Sequence, residues 1–328
     1  MNTGHDKRLS VFFYEAFEEE EKELRSLLGE RVSCSYSPKT IQELRHAEPP
    51  AKLISIRTQS QIPLEWSKKL GGILSRSTGY DHLIAYRSRI KERLPMGFLD
   101  EYATRAVAEQ AVLLALALLR KLPLQMRKLQ SFDRDGLTGA ECPEKNLLVV
   151  GVGRIGNEIY RIAHSLGFTV KGVDLVRDKP DIDYISKESG IPWADVIICA
   201  MNLTTENKAY FNYDLMKNAK SGAILVNIAR GEHTPLTNLA RLLEEKRLGG
   251  LGLDVYEDEG TLGAALRSLQ PENSSAVEEL ERIANHPNVI LTPHNAFNTA
   301  EAVRRKSQMS VDQVNHFLKH GDFIWKLT

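Results

Sequence analysis

Apolar residues along this chain change period again and again. Short, nearly continuous apolar runs alternate with stretches in which they recur every three or four positions, the signatures of buried strands and amphipathic helices. LSVFFY (9–14), RVSCSY (31–36), KLISI (52–56) and GGILSR (71–76) read as strands. EAFEEEEKELRSLL (15–28) reads as a helix with Phe17, Leu24, Leu27 and Leu28 on one stripe and its acids on a solvated face. TRAVAEQAVLLALALLRKL (104–122) predicts a long buried helix, and 123–146 a connection with helical and irregular parts. From Leu147 a second series begins, with strands expected at 147–151, 169–174, 195–200, 223–228, 250–254 and 289–292 and helical patterns between most of them. An amphipathic helix follows at 299–320. This alternation implies parallel sheets covered by helices, a small α/β unit followed by a doubly wound one.

Composition narrows the function classes. A chain of 328 residues suits two domains, and 42% hydrophobic with 26% charged residues is ordinary for a globular protein. Lys+Arg and Asp+Glu both number 43, so no net field favours nucleic acid or an anionic membrane. Cys34, Cys142 and Cys199 are scattered and odd in number. That argues for a reducing compartment, and no His/Cys/carboxylate group has the spacing of a metal site. The N-terminus does not read as a signal peptide, and the most apolar stretch, 106–119, is too short for a membrane span and carries Glu109 and Gln110. A cytoplasmic protein is expected.

One motif is explicit. Gly151-Val152-Gly153-Arg154-Ile155-Gly156 follows the apolar strand LLVV and opens a helix that closes at Gly167. The next strand ends at Asp174, 18 residues past Gly156, the spacing of a dinucleotide fingerprint. Gly151 permits the turn, Gly153 lets backbone approach a pyrophosphate, and Gly156 lets helix and strand pack closely. Arg154 and Ile155 belong to the same cofactor-binding turn, whose helix N-terminus attracts phosphate. Asp174 suits the ribose hydroxyls and repels a 2′-phosphate, which favours NAD over NADP; Arg177 nearby weakens that preference.

Three later segments carry candidate chemistry. GAILVNIARGEHTPL (222–236) places Arg230 just past a strand ending at Asn227-Ile228-Ala229, with Ala229 on the cofactor side. GGLGLDVYEDEG (249–260) ends a strand at Asp254 and then crowds Glu257, Asp258 and Glu259. NVILTPHNAFNTAEA (288–302) runs a short strand into Thr292-Pro293-His294. In an open α/β sheet, ligands bind beyond the carboxyl ends of the strands. A guanidinium, a carboxylate and an imidazole there can bind a 2-oxo acid and move a proton while hydride is transferred. His164, His233 and His286 are assigned surface or structural roles.

These segments, with SRSTGYDHL (75–83) and YATRAVAEQAVLLALALLRKL (102–122), resemble the D-isomer-specific 2-hydroxyacid dehydrogenase family over about residues 50–302, and the D-lactate dehydrogenase branch in particular. The resemblance implies a Rossmann NAD-binding domain at 104–295 and a smaller flavodoxin-like α/β substrate domain made of 1–103 and 296–328. It implies that Arg230 binds substrate and that His294 is the acid/base, paired with Glu259 rather than Glu257. It also implies that Asp254 lies near the nicotinamide carboxamide. Thr78 and Gly79 would hold the substrate carboxylate by backbone N–H groups, Tyr102 would close over the substrate, and Phe297 would wall the pocket. A 2-oxo acid substrate, NAD and a homodimer follow from the same source. Two segments depart from the family pattern. CAMNLTTEN (199–207) lacks the usual proline-containing stretch, and IRTQSQIP (56–63) offers Gln59 and Ser60 where the lactate branch often has an aromatic, which suits a longer or more polar 2-oxo acid. Other substrates in the same fold, such as phosphite, glyoxylate or hydroxypyruvate, and a non-catalytic NAD-sensing role are the alternatives.

Overall fold

The computed structural model describes residues 9–267 and 275–328. In chain order the first elements are β1 (Val11–Phe13), α1 (Glu18–Leu28), β2 (Cys34–Tyr36), α2 (Ile41–Leu44), β3 (Leu53–Ile56), β4 (Gly72–Ser75), α3 (Asp81–Arg87) and β5 (Met96–Gly97). Then come α4 (Thr104–Leu119), α5 (Leu122–Lys128), β6 (Asn146–Val150), α6 (Arg154–Ser165), β7 (Thr169–Val173), α7 (Lys187–Trp193), β8 (Val196–Cys199), α8 (Tyr213–Met216) and β9 (Ala223–Asn227). The last are α9 (Leu236–Glu244), β10 (Leu248–Leu253), α10 (Glu259–Arg267), α11 (Ser275–Ala284), β11 (Val289–Leu291) and α12 (Ala300–His320). The chain divides into two compact units, Met1–Ala103 with Asn298–Thr328, and Thr104–Phe297. Among the described residues no helix is long and apolar enough to cross a membrane.

The first unit holds a parallel sheet in the order β2-β1-β3-β4-β5, the flavodoxin-like order. Ile54, Ile56, Ile73, Trp66 and Leu83 fill its core. The chain's end returns to this sheet, with an antiparallel bridge from Lys326 to Gly97 on the β5 edge. The second unit holds a parallel sheet in the order β11-β10-β9-β8-β6-β7. A further parallel bridge, Gly172 to Tyr184, lies beyond β7. Chain order reverses between β6 and β8, the place where such sheets bind ligands. Helix α4 packs on α6, β9 and β10. Ile191, Met216, Leu239, Leu242 and Ile283, from α7, α8, α9 and α11, join the strands in a separate apolar cluster. Both faces of the sheet are thereby covered, which is why its strands read as continuous apolar runs.

Several expectations change in the structure. The helix expected at 104–122 stops at Leu119, because Lys121 takes a left-handed φ of 52° and Pro123 stands in the first turn of α5. Strand β5, two residues after Pro95, is too short to show a period. In α1, Phe17 precedes the first turn and Leu27 is exposed. The buried face is Glu20, Leu24 and Leu28, so the acid run is not wholly a solvated face. Glu20 occupies an apolar position because two cations meet it there. Arg76 Nε donates to its Oε1 at 2.8 Å, and Lys306 Nζ of α12 lies 2.7 Å from the same oxygen, all three side chains fully buried. Burial alone would raise the Glu20 pKa, but Arg76 and Lys306 bring it down to about 2.

Removing that carboxylate leaves two buried cations facing each other. Glu20→Ala should therefore cost about 3–5 kcal/mol of stability, read by denaturant unfolding; a loss below about 1 kcal/mol would show that the cluster is dispensable.

Candidate active site

Strand β6 feeds the glycine turn. Gly151 has φ +91°, and a Cβ there would come within 2.6 Å of the Met201 nitrogen. At Gly156 an added Cβ would sit 1.9 Å from the Gly151 carbonyl oxygen, so only glycine lets α6 start this close to β6. At Gly153 nothing lies within 4 Å of an added Cβ. Gly153 is the N-cap of α6 and brings no side chain, so the helix begins with its N–H groups uncapped beside open space. Arg154 is exposed and Ile155 half-buried on the first turn. Asp174, just past β7, accepts from the Val152 N–H at 2.6 Å and the Val176 N–H at 3.0 Å, one bond on each oxygen. Each oxygen keeps a lone pair for a hydroxyl. Beside it Leu175 is fully exposed and Val176 largely so, apolar surface of the kind a planar base covers. An anion-binding helix start, a hydroxyl acceptor and a bare apolar surface in sequence fit a dinucleotide.

The loop after β9 presents Arg230. Asn227, fully buried at the strand's end, organises it: its Nδ2 donates to the Arg230 carbonyl and Thr234 Oγ1, both at 2.8 Å, and its Oδ1 accepts from the Ala229 N–H at 3.0 Å. Ala229 is buried, and Arg230 is half-buried with Nη1 on the Ala229 carbonyl at 2.8 Å. Gly231 packs on the next loop so closely that an added Cβ would lie 1.8 Å from the Tyr256 carbonyl carbon. The loops after β9 and β10 are thus in backbone contact.

Beyond β10 and β11 the two remaining candidates meet. His294 Nδ1 lies 2.7 Å and 2.9 Å from the two Glu259 oxygens, with both side chains 18% exposed. Glu257 is exposed, outside the pair. His294 adopts a left-handed φ of 53°, an uncommon conformation for a residue with a Cβ. Asp254 holds it there. One of its oxygens accepts from Thr292 Oγ1 at 2.5 Å and the Asn295 N–H at 2.8 Å, and the other from the Ala296 N–H at 2.8 Å. Burial raises the Asp254 pKa, against the lowering effect of these bonds. The resemblance places Asp254 beside the nicotinamide; here its side chain is fully buried and reaches the site through the backbone it fixes. Phe297 follows, 5% exposed.

Thr78, Gly79 and Tyr102 belong to the other unit. Thr78 is exposed and Gly79 half-buried in the turn after β4. Ser77 Oγ closes that turn with bonds to Ser75 Oγ at 2.6 Å and the Gly79 carbonyl at 2.8 Å. Tyr102 is 5% exposed, and its carbonyl accepts from Arg305 Nε at 2.9 Å. The loop carrying Gln59 and Ser60 is fastened by Glu15, whose carboxylate accepts the N–H groups of Arg57, Gln59 and Ser60 at 3.0–3.2 Å. Ser60 is buried, and its hydroxyl accepts from the Ile41 N–H, so that side chain serves the fold. His233 is fully buried against the Asn207 carbonyl, a structural role.

Sequence reading did not assign roles to Asn227, Thr292 and Glu15, which act on loops rather than ligands. Their only signal is a polar residue at the carboxyl end of an apolar strand. For Asn227, that position within NIARG was visible.

Comparison with known proteins identifies the family. Residues 112–296 match the family model described as D-isomer specific 2-hydroxyacid dehydrogenase, NAD binding domain. The chain belongs to the D-isomer specific 2-hydroxyacid dehydrogenase family. It is an NAD-dependent D-2-hydroxyacid dehydrogenase. A D-lactate dehydrogenase of Streptococcus agalactiae is 34% identical over 236 residues, 70% of this chain and 71% of that protein. An aromatic 2-oxoacid reductase of Clostridium sporogenes is 31% identical over 228 residues, 67% of each. Among solved structures, the Aquifex aeolicus D-lactate dehydrogenase complexed with NAD and lactic acid superimposes with a TM-score of 0.83 at 25% identity. That match covers 96% of this chain and 99% of the other.

In this dehydrogenase Gly156→Ala forces Cβ into the Gly151 carbonyl. Overpacking of this kind costs about 1–3 kcal/mol, so NADH affinity, followed by fluorescence titration, should fall about tenfold to a hundredfold. Unchanged affinity would mean that α6 can shift without cost to the cofactor site.

Proposed function

We propose that the loops after β9, β10 and β11 interconvert a 2-oxo acid and a D-2-hydroxy acid. The His294–Glu259 pair is the observation that carries this reading. The carboxylate holds Nδ1–H, fixes the tautomer and leaves Nε2 to exchange a proton. In reduction Nε2 gives its proton to the substrate's carbonyl oxygen; in oxidation it takes the hydroxyl proton. Arg230 binds the substrate carboxylate through its planar guanidinium and polarises the neighbouring carbonyl. Asn227 and Asp254 position these groups, and Phe297 is an aromatic neighbour of the substrate. NAD(H), held by the Gly151–Gly156 turn and Asp174, supplies or accepts the hydride when bound.

Relatives named for lactate and for aromatic 2-oxo acids leave the substrate's side chain open. NADH oxidation against pyruvate, phenylpyruvate, hydroxypyruvate, glyoxylate and 2-oxoglutarate tests the reading. One acid should stand out, and silence across the panel with NADH bound would overturn it. With that acid, His294→Ala should lower turnover by about 10²- to 10⁴-fold. Glu259→Gln should also lower turnover, because the amide no longer fixes the imidazole's orientation and tautomer as the carboxylate does. Unchanged turnover would remove Glu259 from the mechanism.

We also propose that the chain forms a homodimer through the surface of α4 and α5. Leu113, Met126, Leu129 and Phe132, on α4, α5 and the turn that follows, are each more than half exposed. Apolar side chains of this size left bare in succession mark an interaction surface. Replacing Met126 and Phe132 together by Asp should yield a monomer in light scattering, whereas an unchanged mass for the double variant, or a monomeric wild type, would contradict the assignment.

A further inference from the structure

The segment CAMNLTTEN (199–207), which lacks the proline of the family pattern, forms the loop after β8. Chain order reverses between β6 and β8, so this loop and the glycine turn are the two sides of the crevice where such a sheet binds its ligand. The loop begins against that turn: a Cβ added at Gly151 would lie 2.6 Å from the Met201 nitrogen and 2.8 Å from the Ala200 carbonyl carbon. Asn202, Thr204, Thr205 and Glu206 are exposed, outside any helix or strand. A loop of this kind needs its own bonds to keep a shape. Asn207 supplies them. Its Oδ1 accepts the Thr204 N–H at 2.8 Å, and its Nδ2 donates to the Asn202 carbonyl at 2.7 Å. The partners fix which way the amide points, because a backbone N–H only donates and a carbonyl only accepts. A proline would restrict the same stretch covalently; here two hydrogen bonds close it.

The same residue joins the loop to its neighbour. The Asn207 carbonyl lies 3.1 Å from His233 Nδ1. A carbonyl only accepts, so Nδ1 carries the hydrogen of this bond. Two backbone bonds run beside it, from the Ala209 N–H to the Glu232 carbonyl at 2.7 Å and from the Phe211 N–H to the His233 carbonyl at 2.9 Å. Glu232 and His233 belong to the turn Gly231–His233 that directly follows Arg230, and the His233 N–H bonds the Arg230 carbonyl at 3.3 Å. His233 and Phe211 are fully buried. Ala209 takes a left-handed φ of 51°, which crowds its Cβ. Strain of that kind persists where surrounding bonds over-determine it, and the bonds to Glu232 and His233 do so. One end of the loop therefore rests on the glycine turn, and the other is fastened to the loop that presents Arg230.

We propose that Asn207 is a positioning residue for both ligands: its side chain sets one wall of the cofactor crevice, and its carbonyl, held by His233, fixes that wall to the Arg230 loop. The inference rests on the reading of Arg230 as the residue that binds the substrate's carboxylate. NAD(H) in the crevice and the acid on Arg230 are thereby held at one spacing, which hydride transfer between them requires. The proton-transfer pair stands on the loops after β10 and β11, where Glu259 and His294 hold each other. The clasp therefore acts on binding more than on the chemical step.

Asn207→Ala removes both loop-closing bonds and keeps the carbonyl. In the full-length enzyme three things are measured: hydrogen exchange at the Thr204 amide without cofactor, NADH affinity by fluorescence titration, and KM and kcat for the best 2-oxo acid of the panel at saturating NADH. Exchange at Thr204 should quicken and NADH affinity should fall, each by about threefold to tenfold, as the loss of modest hydrogen bonds implies. KM for the acid should rise about threefold, while kcat changes less than about twofold. The thermal midpoint should move little, since the loop is largely exposed. His233→Leu should reproduce these losses, and His233→Asn, whose amide can donate from the place of Nδ1, should restore wild-type binding. Unchanged NADH affinity in Asn207→Ala overturns the proposal. So does lowered affinity with an unchanged KM, because the wall and Arg230 would then be set separately. Equal defects in His233→Asn and His233→Leu assign the effect to side-chain volume and also overturn it. If His233→Leu fails to fold, Asn207→Ala and His233→Asn still decide. Arg230→Met tests the underlying reading: an unchanged KM there overturns Arg230 as the substrate's partner, whereas a raised one beside wild-type behaviour in Asn207→Ala overturns only the clasp.

Discussion

A parallel sheet delivers the last residue of every strand to the same edge, and each unit of this enzyme depends on that constraint. In the second unit the chain leaves β6 into the glycine turn, β7 into Asp174, β9 into Arg230, β10 into Asp254 and β11 into Thr292 and His294. Residues 25 to 49 positions apart in sequence, such as Leu248 and Ala223 or Val150 and Cys199, become neighbours because the strands carrying them pair in parallel. The first unit repeats the arrangement: Glu15 after β1, Arg57 after β3 and Arg76 after β4 stand at one edge, with Thr78 and Gly79 just beyond. A sheet with mixed strand directions would scatter these groups between two edges.

Within that frame, polar side chains do most of the positioning by accepting backbone N–H groups. Asp174, Asp254 and Glu15 each hold two or three of them, and Asn227 holds one while donating twice. Loops at a sheet edge have many unpaired donors, and a buried carboxylate can satisfy several at once. Asp254 shows the consequence most directly. His294 sits in a left-handed conformation beside its carboxylate partner, and the N–H groups of the next two residues end on Asp254. Strain of that kind persists only where surrounding bonds over-determine it.

The Glu20–Arg76–Lys306 cluster applies the same logic with full charges. A buried ion pair is weak evidence for stability, since well-packed apolar residues often do as well. Its geometry ties helix α1 and the ends of β1 and β3 to the start of the turn after β4.

By itself the sequence determined the alternation of strands and helices, the two α/β units, the glycine turn with Asp174, and the identity of the residues at the strand ends. These depend on local periodicity and on backbone needs such as that of Gly151, which a linear pattern records. Tertiary structure decided the rest. The family resemblance favoured Glu259 over Glu257 as the partner of His294, but the contact itself is tertiary: Glu259 meets His294 across 35 residues of chain, while Glu257 is exposed. Only folding shows that Ser60 turns inward and that Asp254 spends its carboxylate on backbone. Glu20 is the clearest case: within a run of four glutamates it is chemically indistinguishable from its neighbours. It is buried because α1 turns that position toward Arg76 and Lys306, which are 56 and 286 residues away in the chain. A charge can replace an apolar residue in a core only when its partners arrive from elsewhere, and a local pattern carries no record of them.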